Sequence, residues 1–173
     1  EIEKIGNEAV FVLSPSDLDI ALYDPATLAT GVVEAAFSYG QANTNVQITA
    51  VDVIDQQHPG AFSAVDFTSP LTLTSPFPAT EPLNIEFDRT AVAGMAIGET
   101  STGMVEVVWN EVGGIDTFTN TLPVTATYYP DPTLPTVFTA AVDDNLANAA
   151  NWTLGLPGHP QFTGTIDIDG SYN

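Results

Sequence analysis

Short segments with a period of two recur along this chain and constrain it to a β-fold. Leu83, Ile85 and Phe87 alternate with polar side chains, and residues 105–109 repeat the pattern. Alternation with this period places one set of side chains on a single face of a strand. Helical periodicity is nearly absent, and the 13 prolines suit loops and edge strands. The sequence therefore predicts an all-β protein.

Turn signals divide the pattern into short strands. Turn residues recur about every 8–12 positions, a spacing that is typical of an antiparallel β-sandwich. The parity of the apolar positions changes near Ala50, which predicts a β-bulge, and Gly113-Gly114 predicts a hairpin turn. We predict strands at residues 9–13, 18–22, 32–39, 45–53, 61–65, 71–74, 83–87, 105–109 and 118–128.

A family resemblance covers roughly residues 18–128. The segments that carry it are Tyr39-Gly40, Val46–Thr49, Phe62-Ser63, Leu71–Leu73, Leu83–Phe87, Ala93-Gly94, Gly98, Gly103–Val107 and Leu122–Thr127. In this order they resemble the immunoglobulin-like sandwich of the ASPM–SPD-2–Hydin type and of bacterial choice-of-anchor surface domains. The chain departs from that pattern at Asp88-Arg89, where the family has proline, and in the missing final glycine. The resemblance implies an immunoglobulin-like or Greek-key sandwich that acts as a non-catalytic scaffold or interaction domain, often extracellular in bacteria.

The composition of the sequence changes after Tyr129, where Pro and Gly become frequent. This change predicts three parts. Residues 1–129 form the sandwich, residues 130–161 form an extended arm rich in Pro and Gly, and residues 162–173 form a terminal strand. Residues 143–151 contain the one plausible helical turn of the arm.

The terminal strand carries its apolar side chains on one face. Phe162, Ile166 and Ile168 share that face with Gly164 between them, and the alternate positions are polar. The strand follows a β-domain that looks complete, so the partner of its apolar face is in question. We predict that these four residues form a subunit interface, with Gly164 permitting close approach of another backbone and Trp152 packing the arm.

The terminal strand has three possible partners. It can fold back on its own sandwich, begin a following module, or add to the sheet of a neighbouring copy. We favour the last: a structural subunit of an extracellular bacterial surface filament, pilus-like, that polymerises head-to-tail into a helical homopolymer by donating its tail strand. The alternative is a monomeric adhesion or binding module of a larger secreted surface protein, with the tail folded in cis.

Charge limits the partners of the chain. Its 22 acidic residues against two basic ones give a net charge of −20, and such a surface repels nucleic acid and anionic membranes. No apolar run is long enough for a transmembrane helix, so we expect no membrane insertion. Cysteine is absent, which removes thiol catalysis and Cys-based zinc sites. The Thr-rich, Lys-poor composition is common among secreted surface proteins. The chain opens at Glu1 with no Met and no apolar leader segment, so either a signal peptide has been removed, which we favour, or the chain is a portion of a longer product.

Candidate chemistry is sparse, and we expect no enzymatic activity and no required cofactor. His58 and His159 each precede a proline, which favours turn residues in solvent over a catalytic base. Asp167 and Asp169 resemble a fragment of a Ca²⁺ loop that lacks the other ligands, so a solvated strand face is favoured. Asn151 begins the single N-x-[ST] triplet, a candidate glycan attachment site.

Overall fold

Nine strands build the main body of the protein. The computed structural model describes residues 10–38, 45–74, 78–133, 136–137 and 166–167. The strands of the body are Val10–Ser14 (β1), Leu18–Tyr23 (β2), Leu28–Ser38 (β3), Val46–Ile54 (β4), Phe62–Val65 (β5), Leu71–Leu73 (β6), Ala79–Asp88 (β7), Thr100–Glu111 (β8) and Thr117–Tyr129 (β9). A short 3-10 helix, Arg89–Ala91, follows β7, and two further short strands are Thr136–Val137 (β10) and Ile166–Asp167 (β11).

The nine strands form two sheets packed face to face. Sheet A has the order β1-β3-β7-β5, and sheet B has the order β2-β9-β8-β4-β6. Neighbours are antiparallel, except that β2 runs parallel to β9. The predicted fold class, an all-β immunoglobulin-like sandwich, is confirmed.

The core lies between the sheets and follows from the period of two. Along β7, Leu83, Ile85 and Phe87 are buried, while the residues between them reach the outer surface. Strand β8 does the same from the opposite sheet with Val105 and Val107. Each fully buried side chain of this size contributes about 1.5–3 kcal/mol by leaving water. The two sheets are therefore held together mainly by their alternating apolar faces.

The chain changes sheets between β1 and β2. Strand β1 pairs with β3 in sheet A, and after residues 15–17 the chain enters sheet B as β2. At the crossing, Gly31 of β3 lies under Leu18 and Ile20, and a Cβ atom there would come within 2.9 Å of both side chains. Glycine at position 31 therefore allows the sheets to approach closely.

Two predicted irregularities are confirmed. The register between β4 and β8 shifts between Ile48 and Ala50, as the change of parity predicted. Gly113 adopts a φ of 85° in the turn that joins β8 to β9, a conformation that glycine reaches without strain.

Three strands begin earlier than the sequence pattern predicts, at Leu28, Ala79 and Thr100. Their added residues are mostly Ala, Thr, Ser and Gly, which carry little apolar signal. The extra length of β3 forms because Leu28 and its successors pair with the end of β7, where Leu28 lies opposite Asp88. Ladder hydrogen bonds extend a strand even where its side chains do not alternate.

Candidate functional site

Most of the residues predicted to form a subunit interface lie outside the described residues. This applies to Phe162, Gly164, Ile168 and Trp152, to the candidate glycan site Asn151, and to Asp169, His159 and the helical turn at 143–151. Those predictions remain predictions.

The described part of the tail pairs with the arm. Strand β11, which contains Ile166 and Asp167, pairs in parallel with Thr136 and Val137 of β10. These two strands form a sheet of their own, separate from sheets A and B. The described tail residues therefore contribute no strand to the sandwich.

In the described residues, the last strand of the sandwich is β9 and not the tail. Strand β9 pairs with β8 along its length and closes sheet B against β2. Its core-facing residues Leu122, Val124 and Ala126 are all buried. A binding site for another strand must therefore lie at a sheet edge, where backbone N–H and C=O groups have no strand partner.

One of the edges is blocked by a glutamine. At β5, the Gln56 side chain accepts a 2.9 Å hydrogen bond from the Phe62 N–H and donates a 3.0 Å bond to the Phe62 carbonyl. Its Nε2 also donates to the Val53 carbonyl at 2.8 Å. Gln56 thus occupies both backbone groups of Phe62 that another strand would need.

The two edges of sheet B are poor sites for strand addition. Strand β6 has three residues, and the preceding Pro70 has no N–H to donate. Strand β2 is longer, but its outward residues are Asp19 and Ala21, which provide a charge and a small side chain. Charged or short edge strands are the means by which proteins prevent unwanted sheet extension.

The β1 edge is longer than β6 and contains no charged residue. Val10 and Val12 are 48% and 47% exposed on the outer face of sheet A, while Phe11 is buried on the inner face. Leu13 is partly buried against the core. Within the described residues, β1 pairs with β3 alone. This five-residue strand is therefore an edge with apolar side chains on both faces.

An aromatic seam lies beneath the β1 edge. The Trp109 ring stacks on Phe11 with a centroid distance of 4.9 Å and on Phe118 at 4.6 Å. Phe118 lies on the core-facing side of β9 but is 42% exposed. Strand β2 covers the outer edge of β9 only from Val124 onward, so residues 117–123 lack that neighbour. We call Phe11, Trp109, Phe118 and Asn120 the aromatic seam.

Asn120 ties the two sheets together at the seam. Its Oδ1 accepts a 2.8 Å hydrogen bond from Trp109 Nε1, and its Nδ2 donates a 3.3 Å bond to the Phe11 carbonyl. The Asn120 side chain thus satisfies a buried indole N–H and bonds to a backbone group of the edge strand. Neither Gln56 nor Asn120 was identified from the sequence, because nothing in the pattern indicates which strands lie next to them.

His58 lies in the predicted turn, where its carbonyl accepts a 3.1 Å hydrogen bond from the Ala61 N–H, but the prediction that it is in solvent was wrong. It is partly buried, with Nδ1 3.0 Å from Oγ of the fully buried Ser101. The turn packs against the sandwich because the Gln57 N–H bonds to the Thr102 carbonyl. In the described part of the chain no carboxylate contacts the His58 ring, and Ser101 has no exposed surface to meet a substrate. We interpret this pair as a structural contact.

A polar cluster closes the other end of β9. The Arg89 guanidinium lies 4.3 Å from the centroid of the Tyr128 ring, and the Tyr128 hydroxyl donates a hydrogen bond to Asp24. Burial raises the pKa of Tyr128, and the hydrogen bond to Asp24 acts in the same direction. The Arg89 charge acts in the opposite direction. The cluster links β2, the short helix and β9.

Other site types are absent from the described residues. There, no group of three or more His, Asp or Glu side chains is placed to hold a metal ion. A cavity of about 260 Å³ beside β5 and β7 is lined by both apolar and acidic side chains, among them Leu71, Asp66 and Glu81. In the same ranges no helix is long and apolar enough to cross a membrane.

Comparisons with known proteins yield structural likeness only. No family model and no curated protein sequence matches the chain. Similar solved structures include a PapD-like (ASH) domain of human CEP192, with a TM-score of 0.45 and 10% identity over 69% of this chain and 85% of that chain. The periplasmic chaperone SfaE has a TM-score of 0.45 and 9% identity over 74% and 66% of the two chains. The CooA pilin subunit of enterotoxigenic Escherichia coli has a TM-score of 0.40 and 18% identity over 70% and 99%. At these identities and TM-scores, the likenesses bring no function to this chain.

Proposed function

We propose that this protein is a structural subunit of an extracellular bacterial surface filament, a pilus-like fibre that polymerises head-to-tail. In this proposal the tail strand of one copy adds to a sheet of the next copy. The observation that supports it best is that the sandwich is closed by β9, so the tail is not needed to complete its own core. The proposal assigns the subunit no catalysis and no cofactor.

The free energy of ordering the tail strand favours its binding to a sheet edge that is already folded. Burial of Phe162, Ile166 and Ile168 would contribute about 1.5–3 kcal/mol for each side chain. Ordering about eight residues costs about 1–2 kcal/mol for each residue. The total ordering cost, about 8–16 kcal/mol, exceeds the total burial gain of about 4.5–9 kcal/mol. Side-chain burial alone therefore does not hold the strand, which also needs the main-chain hydrogen bonds of a sheet edge. Donation from copy to copy is a heterologous contact, and such contacts produce open filaments unless their rotation closes a ring.

Truncation of the tail tests this proposal. We expect the whole chain to form filaments, and a chain that ends at Pro160 to remain a folded monomer, as measured by electron microscopy and size-exclusion chromatography. Ile166→Asp should also prevent assembly, because it places a charge on the apolar face of the tail. Thr165→Asp, on the polar face, is the matched control and should still assemble. Monomers of the whole chain over a wide concentration range would refute the proposal.

A second function is favoured by one observation. The parallel pairing of β10 with β11 joins tail and arm within the same chain. Parallel pairs need a long crossover and are stable mainly when further structure covers them. This pairing fits the alternative, an adhesion or binding module of a larger secreted surface protein whose tail is held in cis. In that case Ile166→Asp would leave the molecule monomeric and would expose the arm to limited proteolysis.

A further inference from the structure

We infer that the acceptor for the donated tail is the β1 edge of a second copy, with the apolar face of the tail lying over the aromatic seam. This inference rests on the proposed function and adds to it the place where the strand binds. The strand that binds at this edge is residues 162–169 of a neighbouring copy of this chain.

Three other edge strands are less suitable, because of a side-chain contact, a short length or a charge. Gln56 occupies the backbone groups of Phe62 at the β5 edge. The β6 edge has three residues, and β2 presents Asp19 outward. Among these four, β1 combines exposed valines with no charged residue, and in the described residues the one side-chain hydrogen bond to its backbone is the 3.3 Å bond from Asn120 to the Phe11 carbonyl. Strand addition is favoured at such an edge.

The side chains of the tail match the inner face of this edge. A strand added next to β1 would extend sheet A over Phe118, whose ring is 42% exposed on the core-facing side of β9. The apolar face of the tail consists of two β-branched residues, a phenylalanine and Gly164. Gly164 has no side chain, so it can pass over an aromatic ring of the seam while Phe162 and Ile166 pack on either side. The polar face of the tail then continues the outer face of sheet A.

The hydrogen bond from Asn120 to the Phe11 carbonyl can give way to an added strand. In the structure the Asn120 Nδ2 lies 3.3 Å from the Phe11 carbonyl, near the long end of hydrogen-bond distances. An arriving strand brings backbone N–H groups that can share or replace this bond. Asn120 keeps its second bond to Trp109, so the aromatic seam stays in place while the edge accepts the strand.

The arm is long enough for donation between copies. Residues 130–161 provide about 30 residues, each of which spans up to about 3.3 Å when extended, so the reach exceeds the width of a domain of this size. The tail can therefore reach the β1 edge of another copy.

Disulfide trapping tests the inference in a chain that has no cysteine of its own. Subunits with Val12→Cys are mixed with subunits that carry Thr163→Cys, Thr165→Cys or Asp167→Cys, allowed to assemble and then oxidised. In the inferred assembly, Val12 and these tail residues would lie on the same face, and cross-strand Cβ atoms on one face come close enough for a disulfide. We expect one tail position to form a disulfide-linked mixed dimer with Val12→Cys, identified by mass spectrometry. Ser63→Cys at the β5 edge and Ala21→Cys at the β2 edge are the matched controls and should form none.

The outcomes separate the inference from the proposed function. If filaments form but the tail is trapped at Ser63→Cys or Ala21→Cys, the β1 assignment is wrong and the filament proposal stands. If the unmodified chain does not assemble, both are wrong. A second pair of variants avoids dependence on disulfide geometry: Val12→Asp should raise the concentration needed for assembly of a folded monomer, because it puts a like charge beside the acidic face of the tail, and Ala21→Asp should not. Filaments of Val12→Asp that form at the same concentration as those of Ala21→Asp would overturn the inference.

Discussion

The indole N–H of Trp109 donates a 2.8 Å hydrogen bond to Oδ1 of Asn120. Both residues face the core, from neighbouring strands of sheet B, and Asn120 extends the contact to the Phe11 carbonyl in sheet A. At this position the hydrogen bonds of Asn120 join the two sheets, whereas elsewhere the sheets are joined by apolar packing. The Asn120 contact therefore provides a direct test of how the β1 edge is held.

Asn120→Ala should destabilise the sandwich. The substitution leaves the buried Trp109 N–H without its partner, which costs about 1–3 kcal/mol. The free energy of unfolding in urea measures the effect. Asn110→Ala is the matched control, because in the described residues the Asn110 side chain bonds to the adjacent Glu111 carbonyl alone, and we expect a loss within about 0.5 kcal/mol. Equal losses for the two variants would show that the Trp109 contact adds nothing.

Gln56→Ala should open the β5 edge. Three hydrogen bonds to Val53 and Phe62 are lost, each with a net value of about 0.5–1.5 kcal/mol. We expect a lower free energy of unfolding and increased light scattering, because the backbone groups of Phe62 become available to other chains. Gln57→Ala is the control, since the Gln57 side chain is exposed and its recorded bond is made by the backbone. A Gln56→Ala protein with unchanged stability and scattering would contradict the role given to Gln56.

Gly31→Ala should be poorly tolerated. The new Cβ would lie 2.9 Å from atoms of both Leu18 and Ile20, which are buried and cannot move aside freely. Overpacking of this kind costs about 1–3 kcal/mol. Gly103→Ala is a milder comparison, because its nearest neighbour, 3.0 Å away, is a methyl group of the half-buried Val53. Thermal unfolding should show a larger decrease in Tm for Gly31→Ala, and the reverse order would contradict this account of the crossing.

Tyr128 should make stability depend on alkaline pH. Burial, followed by the hydrogen bond to Asp24, raises the pKa of Tyr128 in the folded state above its unfolded value of about 10. The neutral hydroxyl therefore stabilises the fold fully below about pH 10, and this contribution is lost as the pH rises through the raised pKa. Tyr128→Phe cannot titrate, so its urea midpoint should fall less steeply above about pH 10 than that of the unmodified protein. Identical slopes for the two proteins would show that another group governs alkaline unfolding.

Much of the sandwich could be predicted from the sequence, because each strand carries its own periodic signal. The alternation at Leu83, Ile85 and Phe87 identified β7, and the change of parity near Ala50 located the bulge. The pattern identifies the buried face of a strand but not its neighbours. The parallel pairing of β2 with β9 was therefore not predicted.

The candidate site was harder to predict, for a physical reason. Asn120 and Gln56 act through contacts with residues that the fold brings close, and Asn120 lies 109 positions from Phe11. A polar residue within an apolar alternation carries no sign of such a partner. His58 shows the same difficulty, since its Pro-Gly context predicted an exposed turn and gave no indication of Ser101.

The parallel pairing of β2 with β9 has a mechanical consequence. The chain enters this pair at Leu18, opposite Val124, and leaves it at Tyr129, opposite Tyr23. A pulling force applied through the two ends of the sandwich therefore acts along the strands and strains all the bonds of this ladder together. Unzipping them one after another would need a force perpendicular to the strands. A sandwich with this geometry resists stretching along the line that joins its first and last strands.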